Sequence, residues 1–176
     1  IQDYMSGNYD VNEVPESVEV VVGTRDIPRS RMLDLMAWNA FIQTFHVNGL
    51  TSWIARFLAK HGTDYPEFYE QLWQRLEEDA WWSEKFQETR DLTEQWIAQG
   101  HLSSQVGPVS VPGWNLYNRL TLILHADNYL DQTFDLLHDF VADIVPEHAH
   151  QLVEFQRATM VEHRDMRNFP RTKTFD

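Results

Sequence analysis

The sequence contains no cysteine. That absence excludes disulfides, a Cys-held structural zinc, a thiol nucleophile and iron–sulfur ligation by this segment. Basic residues are scarce: 14 Lys and Arg stand against 27 Asp and Glu, a formal charge of −13. A general nucleic-acid binder needs clustered cations to displace phosphate counterions, so the balance argues against DNA or RNA as a bulk partner. It permits a basic protein surface or a neighbouring domain. No run approaches the roughly 18 apolar residues of a membrane span. The start, Ile1-Gln2-Asp3-Tyr4, has neither the basic opening nor the apolar stretch of a signal peptide. These features predict a cytoplasmic chain without membrane contact, and the lack of an initiator Met leads us to expect a segment of a longer protein. Also missing are Gly-x-Ser-x-Gly, a Gly-rich phosphate loop, Gly-x-Gly-x-x-Gly and His-Glu-x-x-His.

What is present is an ordinary globular mix, 43% hydrophobic and 23% charged over 176 residues, enough for one domain. Seven Trp, six Tyr and ten Phe supply a large apolar area for a core, or for a core plus an aromatic docking surface.

Residues 1–29 read as an extended linker with a short strand. Ser6-Gly7-Asn8 marks a turn and Val14-Pro15-Glu16 an extended link. Val18 to Val22 has strand composition, and Val106 to Val111, an edge strand because of Pro108, is its best internal partner.

Residues 30–163 read as a helical domain. Ser30 is expected to cap a helix from Arg31 to about Val47, stopped by Asn48-Gly49. Thr51 caps Ser52 to Lys60, with Trp53, Ile54, Phe57 and Leu58 on one side. Asp64 and Glu67 form a capping-box-like pair for a third helix striped by Phe68, Tyr69, Leu72, Trp73 and Leu76. Further helices are expected over Ser83–Gln99, Trp114 to about His125, Asp127–Val145 (open to fusion with the previous one) and Glu147 to about His163. Residues 164–176 read as an irregular tail. The expected fold is all-α, a bundle of about six helices with a short β element near the N-terminus.

Three constellations could carry chemistry. Asp127, Asp131, Asp135, Asp139 and Asp143 recur every fourth residue and share one helix face. Like charges at that spacing cost roughly 0.2–0.5 kcal/mol per pair, so the face needs water or cations. It reads as a solvated face, a docking face for a basic partner, or a metal stripe. Asp135-x-x-His138 and Glu147-x-x-His150 imitate the Glu-x-x-His pairs of di-metal bundles, but Pro146 separates them; His148-x-His150 alone is weaker. His46 falls in the last turn of the first helix, where it complements the helix dipole or, with Trp38, Trp53, Arg56, Tyr65 and Tyr69, meets a substrate or a neighbouring domain.

The order of these features resembles a known arrangement. Val14-Pro15-Glu16 with its β run, Thr24, Trp38, His46 and Gly49-Leu50-Thr51 are similar to the region after the catalytic barrel in cobalamin-binding radical SAM proteins. Tyr65-Pro66-Glu67-Phe68-Tyr69-Glu70 is similar to the "sY-x-x-FYe" stretch of those C-terminal regions, and Phe155-Gln156 with Asn168-Phe169-Pro170 resembles their closing segment. The likeness covers nearly the whole chain through short, structural motifs. The family's Cys-x-x-x-Cys-x-x-Cys and Asp-x-His-x-x-Gly signatures are absent; both lie upstream in such enzymes. The resemblance implies a non-catalytic accessory domain that packs on the catalytic domain of the same polypeptide. It implies S-adenosylmethionine, an iron–sulfur cluster and cobalamin for the parent enzyme and none for this segment. The alternative is a stand-alone acidic helical interaction module.

Overall fold

A computed structural model describes residues 21–99, 103–112 and 115–160. They form seven α-helices, one π-helical turn and one two-stranded sheet. The all-α expectation holds, with one helix more than expected.

Helix α1 (Arg29–Ile42) starts behind Pro28, not at Ser30. Pro28 is extended (φ −65°, ψ 161°) and its carbonyl accepts the first helical bond, from Met32 N–H at 3.0 Å. Ser30 therefore lies inside the first turn. The expected extension to Val47 is present but changes winding, because Gln43–Val47 form a π-helical turn. Gly49, at φ 87°, ends it in a conformation that favours glycine.

Helix α2 (Ser52–Lys60) buries Ile54, Ala55 and Leu58, leaves Phe57 half-buried, and leaves Trp53 outside the core at 44% exposure. Thr51 does not cap it by side chain; its hydroxyl donates to Phe45 O at 3.0 Å. Helix α3 (Tyr65–Glu77) buries the expected Phe68, Tyr69, Leu72 and Leu76. The expected capping box is not formed: Asp64 makes no side-chain cap, and Glu67 accepts from Gln71 instead. Helix α4 (Ala80–Gln99) begins before the expected Ser83, because Asp79 is its cap and accepts Trp82 N–H at 3.0 Å.

The β element lies in mid-chain. Strands β1 (Ser103–Val106) and β2 (Val109–Pro112) pair antiparallel around Gly107-Pro108. Gly107 has φ 56° while proline fixes φ near about −65°, and only a II′ turn takes that combination. Val106–Val111 thus folds back on itself instead of serving as one strand. Of its expected partner, Val18–Val20 lie outside the described residues, whereas Val21 and Val22 stand in no strand and are exposed. Residues 21–28 form neither helix nor strand, and the 164–176 tail lies outside the described residues.

Helices α5 (Leu116–Ala126) and α6 (Leu130–Ile144) are separate. Asn128, at φ 55°, turns the chain between them. After Pro146, α7 (Ala149–Thr159) folds back against α6 and α2. The main core joins Phe41, Phe45, Ile54, Phe68, Trp82, Phe86, Phe134 and Leu137, all enclosed. Trp73 stacks on Phe86 at 4.0 Å, and the hairpin's Val106 and Val111 cover Ile123. Buried hydroxyls are satisfied locally: Thr44, Thr89, Thr93 and Thr133 each donate to the carbonyl four residues back. Among the described residues no helix is long and apolar enough to cross a membrane.

Candidate functional site

One edge of the bundle breaks the pattern of enclosed rings. It forms where the π-helical turn, α2 and α3 meet. A single π turn displaces a side chain from the regular helical phase, and here the turn carries His46.

His46 Nδ1 lies 2.7 Å from the Tyr69 hydroxyl, and that hydroxyl lies 3.4 Å from Thr51 Oγ1. Thr51 commits its own proton to Phe45 O. One proton order lets all three contacts carry a proton: His46 Nδ1–H donates to Tyr69, Tyr69 to Thr51, and Thr51 to Phe45 O. It leaves His46 Nε2 as the outer end of the chain. Tyr69 is 5% exposed, and burial pushes its phenol up to about 12, which keeps it protonated. Burial, and secondarily the Arg56 guanidinium, hold the His46 imidazole below its ordinary value.

Tyr65 and Tyr69 meet the His46 ring edge-on, at 6.0 and 5.7 Å between centroids. Arg56 lies over the Trp53 indole at 4.9 Å, and Trp53 meets Phe155 of α7 edge-on at 5.9 Å. Gln156 locks the arrangement from beneath. Its Oε1 accepts Trp53 N–H at 2.7 Å and its Nε2 donates to Gly49 O at 2.5 Å.

Of the residues singled out in the sequence, His46, Tyr65, Tyr69, Arg56 and Trp53 thus share one edge. Trp38 does not join them; its ring sits against Phe41 and Trp73, at 5.2 and 5.5 Å. Thr51, Phe155 and Gln156 were not picked out as site residues. The signal for Gln156 is a buried amide in the apolar stripe of the last helix, and such a group demands partners.

The acidic stripe is less uniform than its spacing suggests. Asp127 ends α5 and accepts from the Trp81 indole at 3.1 Å, so it shares no helix with the other four. Asp131 pairs with Arg157. Asp135, Asp139 and Asp143 stand exposed along α6. His138 and His150 approach across α6 and α7 at 6.3 Å, while His148 turns to Phe57 at 5.4 Å. Among the described residues no three His, Asp or Glu side chains are grouped to hold a metal ion.

Fold and edge together define an acidic, mostly helical bundle with one ordered polar–aromatic rim. No protein-family model, no curated protein and no solved structure matches the chain.

Proposed function

We propose that this chain is the C-terminal helical accessory domain of a cobalamin-dependent radical SAM enzyme, packing on the catalytic barrel and covering or shaping the substrate side of its site. The observation that supports the reading is the rim of His46, Tyr65, Tyr69, Arg56 and Trp53. These groups are held in register by hydrogen bonds and ring contacts, yet Trp53 and Arg56 remain exposed. A rigid rim with free polar ends suits a surface that closes over a substrate, where excluding water protects reactive intermediates.

The chain has no thiolate with which to hold an iron–sulfur cluster. The cluster, S-adenosylmethionine and cobalamin would therefore be held by residues upstream, where they supply the radical chemistry. This chain's residues would orient and enclose. Deleting the segment from the longer enzyme should leave cluster assembly intact and lower turnover on the order of 100-fold, the scale of lost positioning. Unchanged turnover would reject the role.

A second reading, a stand-alone acidic interaction module, draws support from Asp135, Asp139 and Asp143, which form no ion pair with a Lys or Arg among the described residues; Asp139 meets the His138 imidazole at 3.5 Å. It requires salt-sensitive binding of a basic surface, abolished by Asp→Asn changes at these positions.

A further inference from the structure

We infer that the rim binds a carboxylate, held by Arg56 and Tyr65, and that this binding draws a proton onto His46. The inference rests on the reading of this edge as a substrate-facing surface and specifies the chemistry of what it meets.

Three groups with unused polar capacity lie along this edge. Arg56 is the first. Helix α2, SWIARFLAK, carries Arg56 and Lys60 and no acidic residue, in a chain of net charge −13. Neither cation pairs with a carboxylate among the described residues, nor do Arg25 and Arg31, whereas Arg29, Arg75, Lys85, Arg90, Arg119 and Arg157 all do; of the four unpaired cations, Arg56 is the one held over a ring. An unneutralised guanidinium fixed over an indole is a preorganised fork for a carboxylate. Tyr65 is the second. It is half-buried beside His46, and its hydroxyl has no hydrogen-bond partner among the described residues. His46 Nε2 is the third, because Nδ1 is taken by Tyr69.

A neutral His46 would turn a lone pair toward an arriving carboxylate. Taking one proton from water converts Nε2 into a donor and removes the repulsion. The groups facing His46 are Tyr65 and Tyr69 from α3 and Arg56 from α2. Burial opposes its protonation first and the Arg56 charge second; a carboxylate on Arg56 neutralises the second and sets a negative charge beside the ring. Binding and protonation are then coupled, and the coupling must be reciprocal.

The test is an NMR titration of the His46 imidazole in the 176-residue chain, in sodium acetate and in sodium chloride at equal ionic strength. Acetate should raise the His46 pKa saturably and chloride should not. In Arg56→Gln the acetate response should vanish while the amide spectrum stays folded, since Arg56 is exposed. In Tyr65→Phe the half-saturating acetate concentration should rise several-fold, roughly the loss of one hydrogen bond to a charged group. Equal responses to acetate and chloride, or a full response in Arg56→Gln, would overturn the inference. A response to inorganic phosphate with none to acetate would overturn the carboxylate assignment. Failure here leaves the deletion result standing, so the two ideas fall separately.

Discussion

Gln156 on the last helix and Trp53 at the start of α2, far apart in sequence, are joined by a 2.7 Å hydrogen bond from the Trp53 backbone N–H to Gln156 Oε1. The same amide donates to Gly49 O and lies 3.4 Å from Ile54 N. One side chain therefore fixes both ends of the turn between the π-helical segment and α2. Replacing it by the similar-sized leucine leaves a donor and an acceptor unsatisfied. Gln156→Leu should destabilise by about 2–3 kcal/mol in urea unfolding; a loss below about 0.5 kcal/mol would show that water takes over the role.

His46 makes stability depend on pH in a defined direction. Its folded pKa lies below the ordinary 6.5, from burial first and Arg56 second. The unfolded chain then binds the proton more readily, so the neutral imidazole's contribution is complete above about pH 6.5 and is lost as pH falls through the folded value. Unfolding free energies measured at about pH 7.5 and about pH 5.5 should fall less in His46→Gln than in the parent chain. An equal fall in both would remove His46 from the acid sensitivity.

Asp79 performs two tasks at the α4 start. It caps Trp82 N–H with one oxygen and accepts the Tyr129 hydroxyl at 2.8 Å with the other. Burial, then the bond to Asp79 and its charge, raise Tyr129 to about 12. Asp79→Ala should cost about 1–2 kcal/mol. Asp79→Asn should keep much of the cap yet lower the Tyr129 pKa toward 10, read from tyrosinate absorbance. Because the folded pKa is the higher one, this stabilisation is full below pH 10 and disappears as pH rises through about 12.

The α6 carboxylates should behave as a solvated face in the isolated chain. Combining Asp135→Asn, Asp139→Asn and Asp143→Asn removes like-charge pairs at four-residue spacing, each worth roughly 0.2–0.5 kcal/mol. The thermal midpoint should stay level or rise slightly. A clear drop would mean that these side chains hold something the fold needs.

Much of this architecture was legible where one periodicity dominates. The α3 stripe of Phe68, Tyr69, Leu72 and Leu76 is buried as its spacing predicts. Ends and turns were less legible, because neighbours compete for the same backbone groups. Pro28 displaced Ser30 as the start of α1, and Asp79, sitting just before two tryptophans, outcompeted Ser83. Gly107-Pro108 hid a hairpin inside what reads as one interrupted strand. Of the residues singled out for the rim, His46 lies against Tyr65 and Tyr69, while the ring of Trp38 sits against Phe41 and Trp73. The partners of Thr51 and Gln156 were not legible, since they come from other segments: spacing marks Thr51 as a cap and Gln156 as an amide in an apolar stripe, and neither names Tyr69 or Trp53.

The proposed function requires the Trp53 edge to face a catalytic domain in a longer enzyme. Hydroxyl-radical footprinting of the 176-residue chain alone and of that proposed enzyme measures this directly. Trp53, at 44% exposure, should be labelled in the isolated chain and protected in the enzyme, while enclosed Trp82 stays unlabelled in both. Equal labelling of Trp53 in the two would contradict the account.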